Sequence, residues 1–294
     1  QIEEYGLEPF IQRCKESVWK YKGMWEDFSK TVGFWADMEH PYVTYDNNFI
    51  ESEWWALKKI YERGLLYKGF KIVPYCPRCG TPLSSHEVAQ GYKNVKERSA
   101  VVRFKVVGED AYFLAWTTTP WTLPSNVALC VNPEETYCKV KAADGYTYYM
   151  AKALLDKVLG KLSTEDKPAY EIIEEYKGSE LEYKEYEPLF DCVKPVCEKQ
   201  NKKGHYIVCD TYVTGIVHIA PAFGEDDAKV GRRYDLPFVQ FVDGKGNLTE
   251  ETPYAGIFAK KADPLVLKDL DEKGLLFDAP KFEHDYPFCW RCDT

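Results

Sequence analysis

Two Cys-x-x-Cys pairs, Cys76 and Cys79 in "CPRCG" and Cys289 and Cys292 in "CWRC", offer four thiolates at the spacing of metal-binding knuckles. Four such ligands make a closed tetrahedral zinc site with Zn–S near ~2.3 Å, so the metal would hold structure and not activate water. The pairs lie far apart in the chain, and two unrelated turns or a redox Cys-x-x-Cys are the alternatives. The other six cysteines are scattered through apparent strands and helices, and most read as small buried hydrophobes.

Two further stretches concentrate polar chemistry. "WTTTPWTLPSN" places the hydroxyls of Thr117, Thr118 and Thr119 ahead of Pro-Trp. "TGIVHIAPAFGEDDAKVGRRY" ends an apolar strand in His218, continues through a loop with Pro221 and Gly224, and opens a helix with Glu225, Asp226 and Asp227. Such groups can hold a substrate and position a water. Each also has a plain structural reading: threonines finish strands, a lone histidine is satisfied locally, and acids in a first helical turn favour the macrodipole and cap free N–H groups. No Gly-x-Ser-x-Gly elbow, no Cys at a helix start with a partner His and no Gly-rich phosphate loop is present. The pattern suits binding and water positioning better than covalent catalysis.

The elements that must carry these groups change along the chain. Leu7, Phe10, Ile11, Cys14, Val18, Tyr21, Trp25, Phe28 and Val32 recur at helical spacing, and a second helix fits Asn48 to Arg63 with Gly64 as its stop. Their aromatics read as core. From about Ser99 to Pro253 the pattern turns to short strands: "AVVRFKVV", "AYFLAWTTT", "YCKVKAADGYTYYMA" with an Asp144-Gly145 turn, "HYIVCDTYV", "GIVHIAP" and "FVQFVDGKGNLTE". Helices fit Ala151 to Leu159, Asp226 to Arg233 and Ala262 to Lys273. If one metal holds both cysteine pairs, everything between them leaves and returns to one place, which is the topology of an inserted domain.

The 294 residues are 45% hydrophobic and 15% aromatic, ample for a packed core in one large domain or two ordinary ones. A formal net charge of -9 argues against a general nucleic-acid clamp but leaves room for a contact at one end of a nucleic acid. No apolar run is long enough to span a bilayer and "QIEEYGLEPF" lacks the character of a signal peptide, so a cytoplasmic protein without membrane contact is expected. The Gln at position 1 and the stop just after a Cys pair suggest a piece of something longer.

Taken together, "WTTTPWTLPSN", "GIVHIAPAFGEDD", "PYCPRCGTPLSSHEVAQGYK" and "YPFCWRC" resemble isoleucyl-tRNA synthetase, a class I enzyme, across essentially the whole chain. Thr119 stands where the related valyl and leucyl enzymes carry Arg in Thr-Thr-Arg-Pro. The resemblance is to the editing insertion, connective polypeptide 1. It implies a mixed α/β fold: a β-barrel-like editing domain with decorating helices at 93–280, inserted into a helical stem at 1–92 that returns at 281–294 and is closed by the zinc knuckle.

It further implies hydrolysis of the ester in valyl-tRNA(Ile), with valine or a valyl-adenosine as ligand, the 3′ end of isoleucine tRNA as partner, and a monomer. Asp227 would grip the α-ammonium and His218 would limit side-chain size. Thr117, Thr118 and Thr119 would surround the amino acid and the terminal adenosine, with Trp116 and Asn126 on the same motif, and Trp121 and Tyr286 flanking the valine side chain. One departure is Val213-Thr214-Gly215, where the family usually has Gly-Thr-Gly. ATP and magnesium would serve only the full-length enzyme, because the signatures of adenylate formation, His-Ile-Gly-His and Lys-Met-Ser-Lys-Ser, are not in this sequence. A zinc-stapled module that binds an aminoacyl-tRNA end without hydrolysing it is the alternative.

Overall fold

The computed structural model describes residues 2–165 and 167–294, which divide into a helical unit ending at Gly69 and a larger unit from Phe70 to Thr294. The first unit holds α1 (Ile2–Tyr5), α2 (Leu7–Lys20), α3 (Lys22–Thr31) and α4 (Asn47–Glu62). The apolar stripe expected from Leu7 to Val32 is interrupted at Tyr21, whose amide turns back to the Trp19 carbonyl. Reading its aromatics as core is corrected by the structure: no residue of these four helices is buried, and Trp25 and Trp54 are about two-thirds exposed (68% and 67%). An apolar stripe is covered only where a second layer packs on it, and within this unit the described helices supply none.

The larger unit begins with a hairpin of β1 (Tyr75–Cys76) and β2 (Thr81–Pro82), followed by α5 (Ser85–Ala89). Ser84 and Glu87 form a reciprocal capping box that starts α5. Next come β3 (Tyr92–Arg98), β4 (Ala100–Lys105), β5 (Tyr112–Thr117), β6 (Ala128–Val131), β7 (Thr136–Ala142) and β8 (Thr147–Ala151). After these follow α6 (Leu155–Leu159), β9 (Tyr170–Lys177), α7 (Lys194–Gln200), β10 (Tyr206–Cys209), β11 (Val217–Ile219), α8 (Glu225–Arg233), α9 (Ala259–Glu272), β12 (Leu276–Asp278) and β13 (Lys281–Pro287).

Nine strands, β4 to β12, form one mixed sheet. It curls around β5, which pairs along its whole length with β4 and shares its other edge between β8 at Tyr112–Phe113 and β11 at Trp116. Splitting one edge between two neighbours bends the sheet toward a barrel. The concave side is filled by Phe104, Phe113, Tyr137, Tyr149 and Tyr186, each at most 2% exposed. Val213, the departure from Gly-Thr-Gly, is spent on a second buried cluster with Val208 and Val230.

The expected Asp144-Gly145 hairpin joins β7 to β8. In the stretch 238–250 the expected Asp243-Gly244 turn forms, with Asp243 accepting the amides of Lys245 and Asn247, but the strands expected around it are reduced to isolated bridges such as Val242 to Leu248. Strands β3, β9 and β13 escaped the sequence reading because they are largely solvated and charged, which removes the alternation of a half-buried strand.

Outside the sheet, β3 and β13 make a two-stranded antiparallel ribbon running from Lys281 opposite Arg98 to Pro287 opposite Tyr92. The ribbon lies tight against the knuckle at Gly91, where a Cβ would stand 1.9 Å from the Phe288 carbonyl oxygen. Gly91→Ala is therefore expected to cost about 1–3 kcal/mol in urea unfolding. An unchanged midpoint would show that the ribbon end yields freely.

Candidate functional site

The ribbon returns Cys289 and Cys292 to Cys76 and Cys79, and the four sulfurs lie within 4.8 Å of one another. Cys76 Sγ is 3.5 Å from Cys292 Sγ, and Cys79 Sγ is 4.0 Å from Cys289 Sγ. A zinc tetrahedron with Zn–S near ~2.3 Å has edges of about 3.8 Å, so an all-thiolate set at these separations fits that ion. Glu87 ties α5 to the second knuckle, accepting from Trp290 Nε1 at 3.0 Å and pairing with Arg291. The Ser84 amide, then Trp290 and Arg291, hold its carboxyl down at about 2. Of the remaining cysteines, Cys130, Cys138 and Cys209 are buried, Cys192 and Cys197 are half-buried against an apolar cluster, and Cys14 is exposed, so most are apolar fillers as expected.

The threonine stretch ends β5 because Pro120 has no N–H to continue a ladder, and the chain enters a 3-10 turn over Pro120–Ser125. Thr117 is buried, and its Oγ1 accepts the Thr119 amide at 3.1 Å. Thr119 Oγ1 lies 3.2 Å from Thr122 Oγ1, and the Thr122 hydroxyl donates to the Thr119 carbonyl at 2.7 Å. Thr118 is half-buried, and its hydroxyl has no partner among the described residues.

His218 Nε2 is 3.0 Å from Thr122 Oγ1. Since the single hydroxyl proton of Thr122 is given to Thr119, Nε2 must carry the ring proton and donate. Nδ1 is then a bare acceptor, buried and without a partner among the described residues. Burial pushes His218 down to about 4, so the ring is neutral near pH 7. Thr122 is the link that the sequence reading missed; it sits inside the quoted motif, but only the fold shows that it joins β5 to β11.

Two residues beyond His218, the Ala220 amide donates to Asp227 Oδ2 at 3.0 Å. Asp227 is half-buried at the start of α8, and burial pushes its carboxyl up to about 6. No Lys, Arg or His lies within ion-pair distance of it among the described residues. Gly224 makes room for it, since a Cβ there would stand 2.8 Å from the Asp227 carboxyl carbon. Glu225 and Asp226 instead face solvent and pair with Lys229.

Trp121 and Tyr286 line one cavity of about 790 Å³, together with Phe223, Phe258, Lys260 and Glu97. Trp121 meets Phe223 edge to face at 5.0 Å. Thus Thr117, Thr119, Thr122 and His218 form one hydrogen-bonded polar run, Asp227 is tied to the end of β11 through the Ala220 amide, and Trp121 and Tyr286 belong to the aromatic lining of the cavity. The structure does not bring Trp116 or Asn126 to that lining. Trp116 is exposed against Phe282, and Asn126 is 3% exposed with its amide donating to the Ala128 carbonyl and accepting from Tyr186 OH.

Two outcomes follow from this geometry. The folded chain is expected to retain one zinc, and Cys289→Ser should abolish that stoichiometry in metal analysis; an unchanged zinc content would exclude the four-cysteine site. Asp227 has a folded value above its ordinary 3.8, so the fold binds its proton more tightly than the unfolded chain and stability falls as pH rises from there through about 6. Asp227→Asn should accordingly gain about 1–3 kcal/mol at pH 8 and almost nothing at pH 3. Equal stability of the two proteins at pH 8 would mean that the carboxylate is compensated.

The family model described as tRNA synthetases class I (I, L, M and V) matches residues 1–195. The isoleucine-tRNA ligase of Clostridium acetobutylicum is 54% identical over 301 residues, covering 100% of this chain and 28% of that protein. The isoleucine-tRNA ligase of Clostridium novyi is likewise 54% identical, with the same coverage. The chain thus spans 28% of the length of these relatives. The solved editing domain of the P. knowlesi cytosolic leucyl-tRNA synthetase aligns at a TM-score of 0.49 and 16% identity, over 65% of this chain and 98% of that one. With two-thirds of its length matched by the family model, the chain belongs to the class I tRNA synthetases of the I, L, M and V group.

Proposed function

We propose that this chain is the editing segment of an isoleucyl-tRNA synthetase and that its polar run hydrolyses the ester of valine wrongly attached to isoleucine tRNA. The observation that carries the proposal is Asp227: a half-buried carboxylate, raised to about 6 by burial and without a protein cation among the described residues. A ligand ammonium would complete it with a charge-assisted bond, and the α-ammonium of an aminoacyl ester is such a group. The need for a second site is physical. A missing methylene is worth only about 1–3 kcal/mol in a pocket, a limit for which this family's Ile/Val choice is the standing illustration.

In this reading the 3′ end of the tRNA presents its ester between the threonine stretch and Asp227. Asp227 fixes the ammonium, while Trp121, Tyr286 and His218 gauge the side chain. Thr118 has the hydroxyl left free for the substrate, since those of Thr117 and Thr119 are engaged within the stretch. His218 is too weak a base to take a proton from water, so its part is to brace the threonine stretch through Nε2 and Thr122. The water oxygen bonds to the ester carbonyl carbon, the ester C–O bond breaks, and the tRNA hydroxyl leaves with a proton, releasing valine. An ester is already activated, so orientation and hydrogen-bond donors at the developing oxyanion suffice.

Cys76, Cys79, Cys289 and Cys292 would hold one structural zinc at the closed end of the ribbon, supplying rigidity and no step of the reaction. ATP and magnesium belong to the ligation half of the whole enzyme, which we expect to act as a monomer in the cytoplasm. No helix of the described residues is long and apolar enough to cross a membrane.

The test is deacylation of Val-tRNA(Ile) and Ile-tRNA(Ile) by the full-length ligase. The valyl ester should be cleared and the isoleucyl ester spared, and Asp227→Ala should slow clearance on the order of 100-fold. A variant as fast as the parent sinks the ammonium role. After subtraction of uncatalysed hydrolysis, kcat/KM should rise with pH through about 6 as Asp227 ionises.

A further inference from the structure

Asp263 and Lys260 stand one turn apart on α9, and each contacts a different aromatic residue of the cavity lining, Asp263 the Trp121 amide and Lys260 the Tyr286 ring. We infer that this turn sets the width of the side-chain gauge, with Asp263 as the positioning residue for Trp121 and Lys260 as that for Tyr286; the inference rests on the editing reading above.

The Trp121 amide lies in the first turn of the 3-10 segment Pro120–Ser125, where N–H groups lack partners within the helix. A threonine preceding such a turn would ordinarily cap it, but Thr119 makes no side-chain cap bond, its hydroxyl being turned to Thr117 and Thr122. Asp263, 142 positions away, takes the vacancy: its Oδ1 accepts the Trp121 amide at 2.9 Å. The carboxylate thereby pins the backbone of the Trp121 wall and leaves the Thr119 hydroxyl in the polar run. Burial pushes the Asp263 carboxyl up to about 6, a sign that the acid is kept there against its solvation.

Lys260 works on Tyr286. Its Nζ lies 4.4 Å from the centroid of the Tyr286 ring and donates to both Glu97 oxygens at 2.9 and 2.7 Å. Glu97 is on β3 and Tyr286 on β13, so one ammonium ties both strands of the ribbon to α9. The helix itself is held by Val266, Leu267 and Leu270 in the main core. Two lining aromatics held by one helical turn cannot shift independently, which is what a gauge of one methylene requires.

The experiment uses the full-length ligase with Asp263→Ala, Asp263→Asn and Lys260→Met. It measures kcat and KM for deacylation of Val-tRNA(Ile) and Ile-tRNA(Ile), and hydrogen exchange of the 116–126 segment. Asp263→Ala and Lys260→Met should each raise the Ile-to-Val ratio of kcat/KM about tenfold, while Asp263→Asn, whose carbonyl still accepts the amide, should keep it within about threefold of the parent. Exchange at the Trp121 amide should accelerate in Asp263→Ala and not in Asp263→Asn. A merely structural role predicts equal losses on both esters with an unchanged ratio, and that result overturns the inference. If the parent enzyme clears no valyl ester, the editing reading falls, and unchanged exchange at Trp121 in Asp263→Ala would then overturn the clamp as well.

Discussion

The pairing of β13 with β3, from Lys281 opposite Arg98 to Pro287 opposite Tyr92, is the constraint on which the other features of the larger unit depend. It returns the chain to where it left, which places Cys289 and Cys292 on Cys76 and Cys79 and brings Tyr286 to the cavity that Trp121 lines. A two-stranded ribbon alone is marginal in water. Here one end is held by the knuckle and Gly91, the other by Ser99, whose amide and hydroxyl both donate to the Pro280 carbonyl, and the middle by Lys260 on Glu97. A metal at the four thiolates would therefore bear on the pocket through ribbon geometry, without touching the substrate.

The polar run is built from groups whose hydrogen-bonding capacity is mostly used before any ligand arrives. Thr117, Thr119 and Thr122 fix one another, Thr122 fixes the tautomer of His218, and the Ala220 amide fixes Asp227. What is left is one carboxylate without a cation, one ring nitrogen and the Thr118 hydroxyl without a partner among the described residues. Such leftovers are costly in a folded protein and tend to mark functional positions. Prearrangement suits a reaction whose barrier is lowered by orientation more than by a strong acid or base.

The two carboxyls that matter to the pocket, Asp227 and Asp263, are both raised to about 6 by burial, yet their surroundings assign them different work. Asp227 accepts the Ala220 amide and a side-chain hydrogen bond from Tyr212 and has no cation among the described residues. Asp263 likewise accepts a backbone amide but lies near Lys260. Similar acidity with different partners separates the group that awaits a ligand from the group that holds a wall.

Composition and spacing by themselves determined the strand-rich middle, the two cysteine knuckles and the helix starts near 48, 226 and 262, because each is a local signal of periodicity, turn chemistry or ligand spacing. The threonine stretch and the His218 to Asp227 segment were legible as candidates for the same reason. Their junction was not: Thr122 meeting His218, Asn126 turning into the core, and Asp263 reaching Trp121 are contacts between distant segments, fixed only by the register of β5, β6 and β11 and by the seating of α9. Burial was decided there too. Helical spacing left Trp25 and Trp54 exposed while strand alternation put Phe104 and Tyr149 inside, because periodicity names the apolar face of an element but only the tertiary structure supplies what covers it.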